Sequence, residues 1–330
     1  MYGTQGCLSR ASPMRGVPSR ALRQPQIDDV KPAAHLARWP YRWTVALTYK
    51  ISQPLIDKYT AGPSAQRTSQ VKSLHENIRQ ALENWGDKKF DTFLQGSYRN
   101  GTAIADINDV DIVALYDPWN SPESSARWEW LFNHVAHILQ QTSLMSGQVT
   151  IGDKCVKLDG QLKADIVPAI SRTAYSSVDP IRVYSRRQRL ERDNYPRTHY
   201  DNGVKKQTAT GDAYKSTVRL FKRWIRQYPT LTAPSFYIEC AVHSVENSAF
   251  NTYLPLSFAS VGVELLKYSE TSIIRSVAGD KDILVPAEWK PAHFVSFQQA
   301  LRRDLPLVTG ALGASTTYEA DRLWCSAFGD

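Results

Sequence analysis

One segment, residues 93 to 116, constrains this chain more than any other. It reads Phe-Leu-Gln-Gly-Ser-Tyr-Arg-Asn-Gly-Thr-Ala-Ile-Ala-Asp-Ile-Asn-Asp-Val-Asp-Ile-Val-Ala-Leu-Tyr. The last eight residues form a mostly apolar run, which predicts a buried strand. Because residues two apart on a strand point to the same face, Asp109 and Asp111 would present two carboxylates side by side.

Two adjacent carboxylates repel each other unless a cation lies between them. Hard oxygen ligands suit Mg²⁺, with Mn²⁺ as the alternative ion, and paired ions clamp the attacking and leaving oxygens of a phosphoryl displacement. Gly96 and Ser97 supply a turn twelve positions earlier. A glycine lets the backbone approach a phosphate, and a turn that leads into a helix presents free N–H groups to an anion. The combination indicates a nucleotidyl transfer with two metal ions.

A third carboxylate is expected, and Asp165 is the best candidate. It is the one acid in the apolar run Leu-Lys-Ala-Asp-Ile-Val-Pro-Ala-Ile at 162–170, where an unpaired buried charge would be costly. The alternatives are Asp159, beside Gly160 in a predicted hairpin turn, and Asp153, which follows a glycine. Both have the pattern of solvated turn residues.

The chain has 330 residues and a net charge of +8, and the basic excess is concentrated in one segment. Residues 182–226 contain thirteen Lys and Arg against four Asp and Glu. This excess fits a groove for a polyphosphate. A solvated helix face or a nucleic-acid patch would give the same count. Lys215 and Lys222, seven apart on one predicted helix face, favour the triphosphate interpretation.

Composition also excludes several classes of protein. The four cysteines are far apart, which argues against a zinc ribbon or a disulfide framework and fits a reducing cytoplasm. No run of eighteen apolar residues is present, so we expect no membrane span.

The pattern along the chain predicts an α+β protein with three regions. Residues 1–40 have five prolines and no acid before Asp28, which predicts a disordered or mis-annotated N-terminal extension; a transit peptide has similar composition. Residues 41–180 would form the catalytic lobe, with strands at 91–95, 109–116 and 162–170. Residues 181–330 would form a mostly helical C-terminal lobe that closes the active-site cleft. Its predicted helices are 212–227, 235–246, 257–267, 292–305 and 316–327.

The motifs together resemble those of the cGAS/DncV-like nucleotidyltransferases of bacterial antiphage defence, and of their E clade in particular. The resemblance covers residues 52–330. It is carried in order by Leu-Gln-Gly-Ser-Tyr-Arg-Asn-Gly-Thr at 94–102, Asp-Val-Asp-Ile-Val at 109–113, Asn-Tyr-Pro-Arg-Thr-His-Tyr-Asp-Asn-Gly at 194–203, Thr-Gly-Asp-Ala-Tyr-Lys at 210–215, Val-Arg-Leu-Phe-Lys at 218–222 and Ala-Pro-Ser-Phe-Tyr-Ile-Glu-Cys at 233–240. It implies a polymerase-β-type core, a mixed sheet with flanking helices, joined to the helical lobe.

The resemblance also implies roles for individual residues. Asp109, Asp111 and Asp165 match the metal-binding catalytic residues. The matching substrate-binding residues are Gln95, Gly96, Ser97, Asn194, Lys215, Lys222, Ser235 and Phe236. Within that set, Lys222 and Ser235 would hold the triphosphate and Phe236 would lie against the base. Asn194 falls at a base-reading position, where an asparagine goes with pyrimidine use; an ordinary turn residue is an equal alternative.

The implied activity is a cytoplasmic, Mg²⁺-dependent cyclic dinucleotide synthase. It would join two nucleoside triphosphates, UTP and possibly ATP, into cyclic UMP-UMP or UMP-AMP and release pyrophosphate. We expect a monomer that needs no nucleic acid or membrane, and a product that activates a separate effector protein. The alternatives are a template-free oligonucleotide or RNA nucleotidyltransferase, and an inactive nucleotide-sensing partner. The inactive protein is disfavoured because all three carboxylates are present.

Overall fold

The computed structural model describes residues 49–84, 90–107, 109–116, 128–142, 148–172 and 177–330. The predicted extension at residues 1–40 lies outside these ranges. No helix in them is both long enough and apolar enough to cross a bilayer.

The described residues contain a mixed seven-stranded sheet. Its strands are β1 Phe90–Gln95, β2 Asp109–Tyr116, β3 Gln148–Ile151, β4 Val156–Asp159, β5 Lys163–Ser171, β6 Ile181–Ser185 and β7 Leu190–Asn194. β2 and β5 pair in parallel along their length, and every other pairing is antiparallel. The strand order is β1-β2-β5-β4-β3, while β6 pairs with the far end of β5 and carries β7. β2 and β5, the strands with the predicted catalytic aspartates, are therefore central neighbours.

Ten α-helices accompany the sheet in the described ranges. They are α1 Gln53–Thr60, α2 Ala65–Asn84, α3 Gly96–Asn100, α4 Trp128–Gln141, α5 Pro196–Ala209, α6 Tyr214–Ile225, α7 Ser235–Ser244, α8 Leu254–Leu265, α9 Pro291–Gly313 and α10 Thr317–Phe328. The predicted mixed sheet with flanking helices and a helical C-terminal region is thus confirmed.

Alternation along β2 decides which face of the sheet carries the chemistry. Val110, Ile112 and Ala114 are buried in one hydrophobic cluster with residues of α2 and α4. The intervening positions point to the opposite face. Asp109 and Asp111 lie there at the start of the strand, while Val113 continues the same face into a small separate apolar cluster. The helices that cover one face therefore leave the carboxylates on the other.

A second hydrophobic core unites the C-terminal helices. It is rich in aromatic residues, among them Trp224, Phe258 and Trp324, whose rings are in contact. α1 joins this core through Ile56 and Tyr59, although it precedes the sheet in sequence. The sheet itself continues past residue 180 to the end of β7. The division of the chain at residue 180 remains a proposal.

Candidate active site

The three predicted catalytic aspartates lie on adjacent strands. Asp111 and Asp165 are register partners in the parallel pair β2–β5. Asp109 is two residues before Asp111 on the same face, and Gln95 is the register partner of Asp111 on the other side. Asp109 is exposed, whereas Asp111 and Asp165 are half-buried. The sheet thus brings together, at one edge of one face, the acids that the sequence placed 56 residues apart.

The electrostatics of this group show an excess of negative charge. Burial and the neighbouring carboxylates of Asp109 and Asp165 raise the pKa of Asp111 from 3.8 to about 6, and the Lys222 ammonium only partly offsets them. Burial and Asp165, to which the thiol is hydrogen-bonded, also raise the pKa of Cys155 to about 12. The thiol therefore stays protonated. A bound cation would relieve the repulsion among the carboxylates.

The two alternative acids have other partners. Asp159 lies at the end of β4, where its side chain is half exposed and pairs with Lys163 at 3.4 Å. Asp153 lies in the turn between β3 and β4 and accepts hydrogen bonds from the Ser185 hydroxyl at 3.0 Å and the Arg187 N–H at 2.7 Å. Both are bound into turns and strand ends, as their sequence context indicated.

The turn at Gly96 and Ser97, called the catalytic turn below, requires a glycine at position 96 because of the aspartate beneath it. Gly96 has a positive φ of 66° and begins the short helix α3. A Cβ added there would lie 2.1 Å from Asp111 Oδ2, which no real contact allows. After the turn, the backbone N–H groups of Thr102 and Ala103 both bond to the Ser97 carbonyl at 3.0 Å. The turn and the central carboxylate are therefore packed as one unit.

Replacing Gly96 with Ala should reduce nucleotide transfer by at least ~100-fold, because the Cβ would displace the Asp111 carboxylate and small misplacements at a reacting centre have effects of this size. The matched control is Gly279→Ala. Gly279 also has a positive φ, 82°, but a Cβ there would meet nothing within 4 Å. Transfer rate and melting temperature should be measured for both. Equal loss of activity in the two variants would mean that backbone strain alone is responsible.

The donor set fits Mg²⁺, with hard carboxylate oxygens and no competing soft ligand apart from a protonated thiol. In the described part of the chain, no three acidic, histidine or cysteine side chains are arranged as a ready-made metal site. Mg²⁺ is usually held by one or two carboxylates together with substrate phosphates. Asp109, Asp111 and Asp165 are the residues that would hold it.

Lys222, a predicted phosphate ligand, is buried rather than open to the cleft. Only 5% of the residue is exposed. Its ammonium lies 3.1 Å from Glu239 Oε2 and 3.0 Å from the Thr102 hydroxyl. It still acts electrostatically on Asp111, whose pKa it lowers. Lys222 is thus close to the carboxylates but already has partners.

Other residues of α6 also contact the segment that follows the catalytic turn. Arg219 donates to the Gly101 carbonyl and to the Thr60 carbonyl, each at 2.6 Å. The Lys215 side chain lies beside Gly101, and its ammonium is 5.7 Å from the centre of the Tyr200 ring. One face of α6 therefore holds residues 101 and 102 in place.

The predicted base-contacting residues lie on two other elements. Asn194 ends β7, and its side-chain carbonyl accepts a hydrogen bond from the Tyr195 N–H at 3.0 Å. Ser235 and Phe236 begin α7, and both are exposed. Phe236 as a residue is 40% exposed, and the centre of its ring is 5.9 Å from that of the His199 ring. A ring in this state leaves a face on which a planar base could stack.

Two polar residues at this site escaped the sequence analysis, Glu239 and Arg219. The signal for Glu239 was present, since it stands among buried apolar residues of α7. Part of the basic excess also has a structural use that the sequence did not reveal. Arg182 pairs with Glu191 at 2.6 Å, Arg186 with Glu129 at 3.0 Å, and Arg192 with Glu288 at 2.9 Å.

Comparison with known proteins identifies the family of the chain independently of its structure. Residues 75–140 match the nucleotidyltransferase domain, and residues 201–305 match the C-terminal helical domain of cGAS/DncV-like nucleotidyltransferases. The cyclic UMP-AMP synthase of Rhodothermus marinus is 30% identical over 269 residues, covering 71% of this chain and 92% of that protein. The cyclic dipurine nucleotide synthase of Elizabethkingia meningoseptica is 28% identical over 190 residues, 48% of this chain and 64% of that protein.

A solved structure gives the same result for the fold. The Rhodothermus marinus CdnE c-UMP-AMP synthase with Apcpp and Upnpp superposes with a TM-score of 0.63 at 26% identity, covering 77% of this chain and 97% of that one. The mixed sheet is therefore the polymerase-β-type core that the sequence predicted. Fold, matched domains and relatives agree, and the chain belongs to the cGAS/DncV-like nucleotidyltransferases.

Proposed function

We propose that this chain is a cyclic dinucleotide synthase that joins two nucleoside triphosphates and releases pyrophosphate. The observation that carries the proposal is the contact between the Gly96 turn and Asp111, with Asp165 beside it in register. This arrangement puts a phosphate-binding turn against a group of carboxylates. The relatives named as cyclic nucleotide synthases support the cyclic product.

The residues divide the work between two tasks. Asp109, Asp111 and Asp165 would hold Mg²⁺, which neutralises the carboxylates and the triphosphate when it is bound. Gly96 and Ser97 would hold the donor triphosphate by their backbone N–H groups.

The remaining predicted residues complete the nucleotide site. Gln95, adjoining Asp111, and Lys215, Lys222 and Ser235 would help to orient the triphosphate, and Phe236 would stack on a base. The acceptor 3′-hydroxyl then attacks the α-phosphorus in line with the departing pyrophosphate. A second round of the same chemistry closes the ring.

The proposed biological setting follows the family. The product would activate a separate effector protein in antiphage defence, and the synthase would act as a monomer without nucleic acid. An alternative activity, template-free extension of RNA, predicts a different product. Labelled nucleotides should be incubated with the enzyme, with and without added RNA, and the products sized. We expect one compact product that is indifferent to RNA; a ladder that appears only with RNA would contradict the proposal.

UTP is the proposed preferred nucleotide, with Asn194 as the residue that reads it. An amide offers both a donor and an acceptor, which complement the carbonyl and N–H of uracil. The relatives include both a UMP-AMP synthase and a dipurine synthase, so the choice depends on residues of this chain.

Replacing Asn194 with Ser should lower the preference for UTP over purine nucleotides by roughly ten- to a hundredfold, because an unpaired polar edge costs about 1–3 kcal/mol. Asn202→Ser is the matched control, since the Asn202 amide is bound to the Val277 carbonyl at 2.9 Å. Competition between labelled UTP and ATP measures the effect. Unaltered base choice in the Asn194 variant would refute its role as the base reader.

A further inference from the structure

A buried carboxylate, Glu239, joins the catalytic turn to the C-terminal helices. It lies on α7, one helical turn after Ser235, and 4% of the residue is exposed. Its neighbours Ile238, Cys240 and Ala241 are buried and apolar. A charge in such surroundings is costly unless it is paired and its oxygens are hydrogen-bonded. The contacts of Glu239 therefore indicate why a charge is retained there.

Both oxygens of Glu239 are fully used. Oε1 accepts from the Asn100 amide at 3.1 Å and lies 2.9 Å from His199 Nε2. Oε2 accepts from the Thr102 hydroxyl at 2.7 Å and from the Lys222 ammonium at 3.1 Å. A carboxylate offers about four lone-pair sites. Glu239 thus binds, at one point, the end of the catalytic turn, α5 and α6.

The charge state of this group is well defined. Burial alone would raise the pKa of Glu239, but the Lys222 ammonium and the hydrogen bonds with His199 and Thr102 outweigh it and hold the pKa well below its usual range. Glu239 is therefore ionised, and it pairs with the Lys222 ammonium, whose charge also acts on Asp111.

All three N–H donors of the Lys222 ammonium have acceptors in this arrangement. An ammonium has three donors. Those of Lys222 face Glu239 Oε2 at 3.1 Å, the Thr102 hydroxyl at 3.0 Å and the Thr102 carbonyl at 3.4 Å. The Thr102 backbone N–H in turn bonds to the Ser97 carbonyl. A continuous path of hydrogen bonds therefore runs from Glu239 through Thr102 to the turn that would bind the triphosphate.

We propose that Glu239 is a positioning residue of the transfer reaction, which holds the Gly96–Ser97 turn and the Lys222 ammonium at a fixed separation, so that the turn offers its N–H groups to the triphosphate while the ammonium acts on it through its charge. The inference rests on the proposed function, since it assigns Glu239 to the triphosphate site of that reaction. Glu239 itself contacts no substrate. It acts through Thr102, Asn100 and Lys222.

The variant Glu239→Gln keeps the shape of the side chain and removes its charge. Lys222 then faces an amide instead of its counter-ion, and its ammonium can shift. The turn loses one of the hydrogen bonds that hold its end. We expect kcat to fall about 10- to 100-fold, the range that a misplacement of about 1 Å produces. KM for the nucleotide should stay level or fall, because an uncompensated ammonium attracts the triphosphate in the ground state.

Asp304→Asn is the matched control. Asp304 is also 4% exposed, and it accepts from Trp224 Nε1 at 2.8 Å, so it holds the same helix as Lys222. Its other hydrogen-bonding partners are Gln227, Tyr228 and Arg303, all of them in the helical region. This variant should lower the melting temperature while leaving kcat and KM within about threefold of the wild type, since buried carboxylates are costly to unpair wherever they lie.

The test combines steady-state kinetics with amide hydrogen exchange of the full chain without nucleotide. Exchange at residues 96–103 should accelerate in Glu239→Gln and stay at the wild-type rate in Asp304→Asn. Any of three results would overturn the inference. They are a wild-type kcat in Glu239→Gln, an equal loss of kcat in Asp304→Asn, and unchanged exchange at residues 96–103 in Glu239→Gln. If the wild type makes no nucleotide product, the proposed function fails separately, and the exchange experiment still decides whether Glu239 holds the turn.

Discussion

Asp111→Asn should abolish nucleotide transfer and at the same time stabilise the protein in the absence of metal. Activity is lost because the central carboxylate of the group is gone. Stability rises because burial and the neighbouring carboxylates disfavour the ionised form of Asp111, and they raise its pKa from 3.8 to about 6. A shift of this size corresponds to at most about 3 kcal/mol in the free energy of unfolding.

The pH dependence gives the sign of this effect. The folded state holds the Asp111 proton more tightly than the unfolded state, so the wild type loses stability as pH rises from about 4 to about 6. The variant should therefore unfold like the wild type near pH 4 and be more stable above pH 6. Denaturant unfolding at both pH values measures the difference.

Asp159→Asn is the control for this pair of effects. Asp159 is exposed and pairs with Lys163 at the surface, so we expect normal activity and no gain in stability above pH 6. Lost activity in this variant together with retained activity in Asp165→Asn would reassign the third catalytic carboxylate.

Lys222→Ala should destabilise the fold by about 3–5 kcal/mol, because it leaves the buried Glu239 carboxylate without its counter-ion. The double variant Lys222→Met with Glu239→Gln should recover part of that stability, since it removes both buried charges while the amide oxygen can still accept the hydrogen bond from Thr102. Transfer activity should stay low in both. Urea unfolding and nucleotide transfer, measured on the same preparations, separate the two effects.

An exposed ion pair supplies the comparison for Lys222. Arg79 lies on α2 between Glu76 and Glu83, with all three side chains more than a third exposed. Arg79→Ala should leave the free energy of unfolding almost unchanged, because solvent screens exposed ion pairs. A similarly small change in Lys222→Ala would show that the Lys222–Glu239 pair is not the buried unit described above.

The strands that carry the chemistry were predictable because their signal is local. The strand predicted at 109–116 is observed at Asp109–Tyr116, and the one predicted at 162–170 at Lys163–Ser171. Each is an apolar run with a single polar end, so neither depends on distant partners for recognition. The register that sets Asp111 against Asp165 is consistent with the same patterns.

β7 was not predictable, since its pairing with β6 depends on charge rather than on apolar alternation. β7 reads Leu-Glu-Arg-Asp-Asn and contains one apolar residue. It is held to β6 across the ladder by Arg182, which contacts both Glu191 and Asp193. Cross-strand ion pairs of this kind leave no periodic hydrophobic signal.

Tertiary packing also overrode a local signal in α9. The helix predicted at 292–305 stops before Pro306, a residue that normally ends a helix. The observed helix continues through Pro306 to Gly313. Leu305, Val308 and Leu312 are buried in the helical core on either side of the proline. Burial of these side chains offsets the lost backbone hydrogen bond.

The hydrogen bonds around Glu239 could not be predicted from the sequence, for a different reason. Lys222 was predicted to hold the triphosphate, from the family resemblance and from its place on one helix face, but its partners Thr102 and Glu239 lie 120 and 17 residues away. Spacing along a helix reveals which side chains share a face, not what the fold places opposite them.

The most direct test of the central claim is product analysis with each nucleotide withheld in turn. The purified chain should be incubated with Mg²⁺ and all four labelled nucleoside triphosphates, and the products treated with phosphatase before they are sized. We expect one phosphatase-resistant cyclic dinucleotide that disappears when UTP is omitted and is absent from Asp111→Asn. Phosphatase-sensitive linear products alone, or a product that the Asp111 variant still makes, would contradict the account.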